Sequence, residues 1–178
     1  MEASLSDNVP QNLILRVGIL TVSDRSSAGT RPDASGPALE GLIATRGWKV
    51  TRRHTVPDEI SRIKKTLMDW SDSGDIDLIL TTGGTGFSPR DITPEATLAV
   101  IDRAAPGLAE AMRHASLRIT PHGMLSRSVT GIRARCLIVN LPGSPKAATE
   151  NLDVIISVLP HAVQLLREDP RSEAGHQG

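Results

Sequence analysis

The sequence predicts an α/β domain around a mostly parallel sheet, and three observations predict it. Between Leu13 and Arg167, short apolar runs alternate with stretches of helical period, the alternation produced when strands are joined by helical crossovers. Three of the apolar runs end in turn-forming polar sequence: Ser23-Asp24-Arg25, Gly83-Gly84-Thr85-Gly86 and Leu141-Pro142-Gly143-Ser144. Right-handed crossovers carry such strand ends to one edge of the sheet, where open α/β folds bind their ligands. Finally, 178 residues of which 39% are hydrophobic supply one core and one domain.

Taken in order, 1–12 is polar and patternless and reads as a flexible tail, followed by a domain over 13–169 and a second polar tail over 170–178. Leu13 to Val22 is a strand with Gly18 at its centre, and Ser23 to Ser35 a polar loop. Gly36 to Arg46 reads as a helix capped by Ser35, with Pro37 in its first turn and Gly47 ending it. Trp48 to Val56 alternates as a second strand. Pro57-Asp58-Glu59 opens a helix whose stripe is Ile60, Ile63, Leu67 and Trp70. Ile76 to Thr81 is a third strand, apolar enough to be buried on both faces.

Beyond the glycines, Thr93 reads as an N-cap with Pro94 at the first helical position. Helices are expected over Pro94 to Ile101 and Gly107 to Leu117, and a loop from Thr120 to Ser128. Val129 to Ile132 is a short strand, with Arg133 and Arg135 on a solvated face; Cys136 to Asn140 is a strong strand holding the lone cysteine. Ser144 caps a final helix with Pro145 at its start and Leu152, Ile155, Ile156, Leu159 and Val163 on one face.

Composition excludes several classes. Twenty basic and 20 acidic residues balance to zero net charge, which argues against a broad nucleic-acid surface. Two Trp, one Phe and no Tyr argue against a base-stacking platform. The five histidines show no ligand spacing, so no zinc site is expected. No apolar stretch is long enough for a membrane span and no secretory leader is seen, so a cytoplasmic location without membrane contact is expected.

The segment Leu78 to Ala96, LILTTGGTGFSPRDITPEA, concentrates the chemistry. It is neither a dinucleotide fingerprint, since GxGxxG is absent, nor a Walker A loop, since no Lys-Ser or Lys-Thr follows the last glycine. Yet it joins backbone N–H donors, the cation Arg90 and the carboxylate Asp91, the set needed to hold a phosphate and its metal. From the residues alone the reading is a phosphate-binding α/β domain.

Seven motifs in order then carry a resemblance: TVSDR (Thr21 to Arg25), VPDE (Val56 to Glu59), LILTTGGTGFSPRDITPEAT (Leu78 to Thr97), APG (Ala105 to Gly107), MLSRS (Met124 to Ser128), GIR (Gly131 to Arg133) and NLPGSPKA (Asn140 to Ala147). In these the chain resembles the molybdopterin adenylyltransferase family, the bacterial MogA-type proteins and gephyrin G domains. The resemblance implies a three-layer αβα sandwich around a mostly parallel sheet and a homotrimer. It also implies transfer of AMP from Mg-ATP onto the terminal phosphate of molybdopterin, with release of pyrophosphate. The adenylylated pterin would pass to a separate molybdenum-insertion protein.

Carried over residue by residue, the family's two acids fall on Asp58 and Asp91 and its functional serine on Ser126, all three expected to be catalytic. The two acids are the expected Mg2+ ligands. Thr82, Gly83, Gly84, Thr85, Gly86, Asp24, Arg25 and Arg90 are expected at the nucleotide phosphates. Ser126, Arg127, Asn140, Pro142, Gly143, Ser144 and Lys146 are expected at the pterin. Two other readings share these loops: a molybdopterin-binding or scaffold trimer with little turnover, and a related molybdenum-inserting protein.

Overall fold

A computed structural model describes residues 13–168, so the two expected tails lie outside the described residues. Six strands form one sheet in the order β2-β1-β3-β6-β5-β4: β1 Arg16–Val22, β2 Lys49–Val56, β3 Leu78–Thr82, β4 Arg103–Ala104, β5 Thr130–Arg133 and β6 Cys136–Leu141. The first four in that order run parallel; β5 and β4 close the β6 edge antiparallel. The helices are α1 Asp24–Ser27, α2 Ser35–Thr45, α3 Ile60–Asp72, α4 Thr93–Leu98, α5 Pro106–Leu117, α6 Pro145–Ile155 and α7 Leu159–Leu166, with a 3-10 turn over Pro121–Leu125. No helix among the described residues is long and apolar enough to cross a membrane.

The strand pleat divides the core in two. Val17, Ile19, Leu78, Leu80, Leu137 and Val139 face one side, where α2, α6 and α7 supply Leu39, Ile43, Leu152, Leu159 and Val163. Leu20, Val22, Ile79 and Ile138 face the other, against Ile63, Leu67 and Trp70 of α3 and Ala96 of α4. The result is the expected three-layer αβα sandwich. Gly18 has its reason here: a Cβ at that position would sit 2.7 Å from the ring of Trp70, which packs against the strand.

Several local expectations need correction. The loop after β1 contains the short helix α1, capped by the Ser23 hydroxyl, which accepts from Ser26 N–H at 3.2 Å. α2 is capped from Asp33, not Ser35: one Asp33 oxygen accepts the N–H groups of Ser35 and Gly36 at 3.1 and 3.0 Å. α3 begins at Ile60, later than read, so Asp58 precedes the helix and Ile60 is exposed rather than part of the buried stripe. Thr93 does not cap α4; its hydroxyl donates to Gly83 O at 2.9 Å. The single C-terminal helix is two helices, α6 and α7, parting at Ile156 to Val158. Arg133 is not on a solvated face, because its guanidinium donates to both Asp72 oxygens and to Val100 O, tying β5 to α3.

At the amino ends of the strands, a side chain the sequence did not single out organises the opposite pole. Asp77, 2% exposed, accepts the backbone N–H of Arg16 at 2.8 Å and the guanidinium groups of Arg16 and Arg167. Burial pushes its carboxyl up, but the hydrogen bonds from Arg16 and Arg167 outweigh that and hold it below the usual carboxylate range.

Candidate active site

Parallel strands β1, β3 and β6 release their chains at the same edge, and the loops that follow enclose a crevice of about 590 Å³. The glycine loop after β3 lies in the middle. Gly83 and Gly84 adopt φ of 102° and 63°, backbone that residues with a Cβ reach only under strain. Space demands glycine as well: a Cβ on Gly83 would overlap Val22 O, and one on Gly84 would overlap the Thr93 hydroxyl. The loop is anchored by Gly83 N–H to Leu141 O at 3.2 Å and by Thr82 Oγ to Pro142 O at 2.7 Å. One expected phosphate donor, the Gly83 N–H, is therefore already engaged. The N–H groups of Gly84 and Gly86 have no acceptor among the described residues.

The acids come in from both sides. Asp24 and Asp58 are bound reciprocally, Asp24 N–H to Asp58 Oδ2 at 2.8 Å and Asp58 N–H to Asp24 Oδ1 at 3.0 Å. This staples the β1 loop to the β2 loop. Arg90 reaches across from the glycine-loop side and grips Asp24 with Nε and one terminal nitrogen at 2.9 and 2.8 Å. That grip holds the Asp24 carboxyl below its ordinary range. Asp58 moves the other way: burial pushes its carboxyl up, and the neighbouring charges of Asp24 and Asp91 add to the rise against its hydrogen bond from Asp24. Asp91 accepts the Ser88 N–H at 3.0 Å, and its Oδ2 lies where only 2.8 Å would separate it from a Cβ on Gly86. Neither Asp58 nor Asp91 makes an ion pair among the described residues.

The expected site residues thus separate into two groups. Asp24, Arg25, Asp58, Thr82, Gly83, Gly84, Arg90, Asp91, Gly143 and Ser144 all line the crevice. Ser126, Arg127, Asn140, Pro142, Lys146, Thr85 and Gly86 do not. Asn140 is fully buried, donating to Thr81 and Thr97 hydroxyls at 3.0 and 2.9 Å and accepting Val129 N–H, so it organises the core beneath the site. Arg127 holds Gly86 O at 2.7 Å, the Asp91 carbonyl and the Glu95 carboxylate, while its N–H donates to Thr85 O at 2.9 Å. Its guanidinium clamps the loop that carries Asp91. Ser126 hydrogen-bonds Ser128 Oγ at 3.1 Å beside Arg113, which binds the carbonyls of both serines. Lys146 stands out in solvent, 3.8 Å from Glu150.

Among the crevice residues that sequence reasoning did not assign to the site are Arg31, Asp33 and Ser35. Asp33 binds Thr21 Oγ at 2.8 Å and the start of α2, and Ser35 Oγ donates to Gly143 O at 2.7 Å, joining the β1 loop to the β6 turn. The Asp-Ala-Ser-Gly string was the available signal, since Asp two or three residues ahead of free N–H groups is a capping pattern. Among the described residues no group of three or more His, Cys, Asp or Glu is placed to hold a metal. A cation here would draw on Asp58, Asp91 and substrate oxygens.

A family model described as a probable molybdopterin binding domain matches residues 18–161. The chain is 45% identical over 166 residues to gephyrin of Dictyostelium discoideum, covering 88% of this chain but only 23% of that protein. It is 42% identical over 167 residues to the molybdopterin adenylyltransferase of Escherichia coli K12, covering 85% of each. Among solved structures, the molybdopterin biosynthesis enzyme MoaB of Thermus thermophilus superposes with a TM-score of 0.83 at 52% identity, over 88% of this chain and 99% of the other.

Proposed function

Since this chain belongs to the molybdopterin-binding domain family, we propose that it is an enzyme of molybdenum cofactor biosynthesis, a molybdopterin adenylyltransferase. An oxygen of the pterin's terminal phosphate attacks the α-phosphorus of ATP; the bond from that phosphorus to the bridging oxygen breaks, and pyrophosphate leaves with its electron pair. The attacking group is already anionic, so no strong general base is required, and the protein's work is positioning and charge neutralisation.

The observation that carries the reading is the pairing of a glycine loop bearing unengaged N–H groups with two carboxylates that lack any cation. Asp58 shows why a divalent cation fits: its ionised form is disfavoured by burial and by two neighbouring acids, and its Oδ1 accepts no hydrogen bond among the described residues. Asp58 and Asp91 would hold Mg2+, which when bound supplies neutralisation between phosphate oxygens. The chain's own groups do the rest. The Gly84 N–H binds phosphate oxygen, Arg90 fixes Asp24 and through it Asp58, and Arg127 holds the Asp91 loop. Gly143 and Ser144 border the crevice on the β6 side and receive the pterin phosphate, with Ser126 contributing from the neighbouring loop.

The reading extends to a homotrimer acting in the cytoplasm and handing its product to a molybdenum-insertion protein. Exposed Leu117, Ile119, Met124 and Leu125 at the end of α5 and the following turn support the assembly. The test is to incubate the protein with molybdopterin and Mg-ATP and measure pyrophosphate. Stoichiometric pyrophosphate and adenylylated pterin are expected; pterin binding without pyrophosphate would replace the enzyme by a scaffold.

A further inference from the structure

The crevice is charge-separated in a way the sequence did not reveal. Of its four carboxylates, Asp24 is gripped by Arg90 and Asp33 is occupied by Thr21 and the start of α2. The other two, Asp58 and Asp91, each accept one backbone N–H and bind no side chain among the described residues, and they lie beside Gly84 and Gly86 of the central loop. Of its three guanidinium groups, Arg90 is held by Asp24, whereas Arg25 and Arg31 form no ion pair among the described residues. Both are exposed, and one carbonyl fixes them: Arg25 O accepts the N–H groups of Thr30 and Arg31 at 3.0 and 3.2 Å, and the Thr30 hydroxyl at 3.0 Å. Acids without an ion-pair partner therefore stand at the glycine loop, and unpaired cations stand on α1 (Arg25) and on the segment that joins it to α2 (Arg31).

Topology gives that separation a direction. β3 lies between β1 and β6, so its glycine loop sits between the β1 loop and the β6 turn. In displacement at phosphorus the entering and leaving oxygens are roughly in line, on opposite sides. If the pterin phosphate enters from the β6 side and the α-phosphate rests at the glycine loop, the leaving group departs on the β1 side. We infer that Arg31, together with Arg25, binds the pyrophosphate half of ATP and holds it as the leaving group. Arg31 is thus a substrate-contacting residue in this chain. The inference rests on the adenylyl-transfer reading for the identity of the ligand.

Calorimetry on the wild type, Arg31→Ala and Arg31→Lys tests it, with Mg-ATP, AMP and pyrophosphate as separate probes. Arg31→Ala should weaken Mg-ATP and pyrophosphate binding by about tenfold or more, the usual size of a lost charge-assisted hydrogen bond, and leave AMP within about twofold. Arg31→Lys should fall between, since the charge remains and the fork is lost. The melting temperature should not move, because the guanidinium holds no other protein group. In turnover, KM for ATP should rise while KM for molybdopterin stays. Unchanged Mg-ATP affinity, or equal loss for AMP and ATP, overturns the assignment. A wild type that binds Mg-ATP through Arg31 yet releases no pyrophosphate retires adenylyl transfer and leaves the site standing. One that turns over while its ATP affinity ignores Arg31 retires the site alone.

Discussion

Substitution of Gly86 by alanine isolates the placement of Asp91 from its charge. Gly86 is not in the left-handed region, so an added methyl group meets no backbone strain. What it meets is Asp91 Oδ2 at 2.8 Å, against the 3.4 Å at which ordinary contact begins, so the carboxylate must retreat by about 0.6 Å. The retreat lengthens the 3.0 Å hydrogen bond from Ser88 N–H. Losing that bond on an exposed loop costs about 0.5–1.5 kcal/mol, a drop in melting temperature of about 1–6 °C for a domain of this size. Turnover should suffer more, because a misplacement of about 1 Å at a reacting centre costs roughly 10²-fold and half of that distance about tenfold. Pyrophosphate release at saturating substrates, measured beside thermal melts, checks both numbers. Asp91→Asn, which keeps an acceptor for Ser88 but removes the charge, should lose about 10²-fold. The double variant should be no slower than Asp91→Asn, since the methyl group acts only through that side chain. A well-folded Gly86→Ala protein with parental turnover, or a double variant whose losses multiply, would refute the placement of Asp91 at the reacting phosphates.

Three further outcomes follow from the same geometry. Gly84→Ala combines left-handed backbone with overlap at the Thr93 hydroxyl; roughly 1–2 kcal/mol of strain plus about 1 kcal/mol for the displaced Thr93–Gly83 hydrogen bond should lower the melting temperature by about 4–12 °C. Asp58 has a folded carboxyl raised above its unfolded value, so its ionisation opposes folding: the penalty is absent below the unfolded pKa and fully present above the folded one. Asp58→Asn should therefore leave the melting temperature at neutral pH equal or higher while pyrophosphate release falls, and a lower melting temperature there would show that the paired N–H contact outweighs the buried charge. Cys136 is buried, its thiol pushed up to about 12 by desolvation; a disulfide reagent should label it only on unfolding, and labelling of the native protein would contradict its place in β6.

The class of fold and the location of the crevice were legible because they depend on period and punctuation. Leu78 to Leu80 read as a strand buried on both faces and Cys136 to Asn140 as a strong strand, and the glycines after the first of these marked a close approach. Capping was harder to read. Ser35 and Thr93 carry the right side chain at the right offset, yet their hydroxyls bind Gly143 O and Gly83 O, because a neighbouring loop offered each a carbonyl. The role of Arg127 was equally hidden, since its partners lie more than 30 residues away along the chain, in a loop whose path only the folded sheet defines. Arg31 gave no signal at all; its place in the crevice depends on how the Thr30 and Arg31 N–H groups turn back onto Arg25 O.

Asp77 gathers Arg16, where β1 begins, and Arg167, directly after α7, on one carboxylate at the pole opposite the crevice. The described chain therefore starts and finishes at a common anchorage, and that makes the domain modular. The same proximity means that a short linker could join the two ends and new termini could be opened in a peripheral loop, with the sheet order and every crevice residue kept in place.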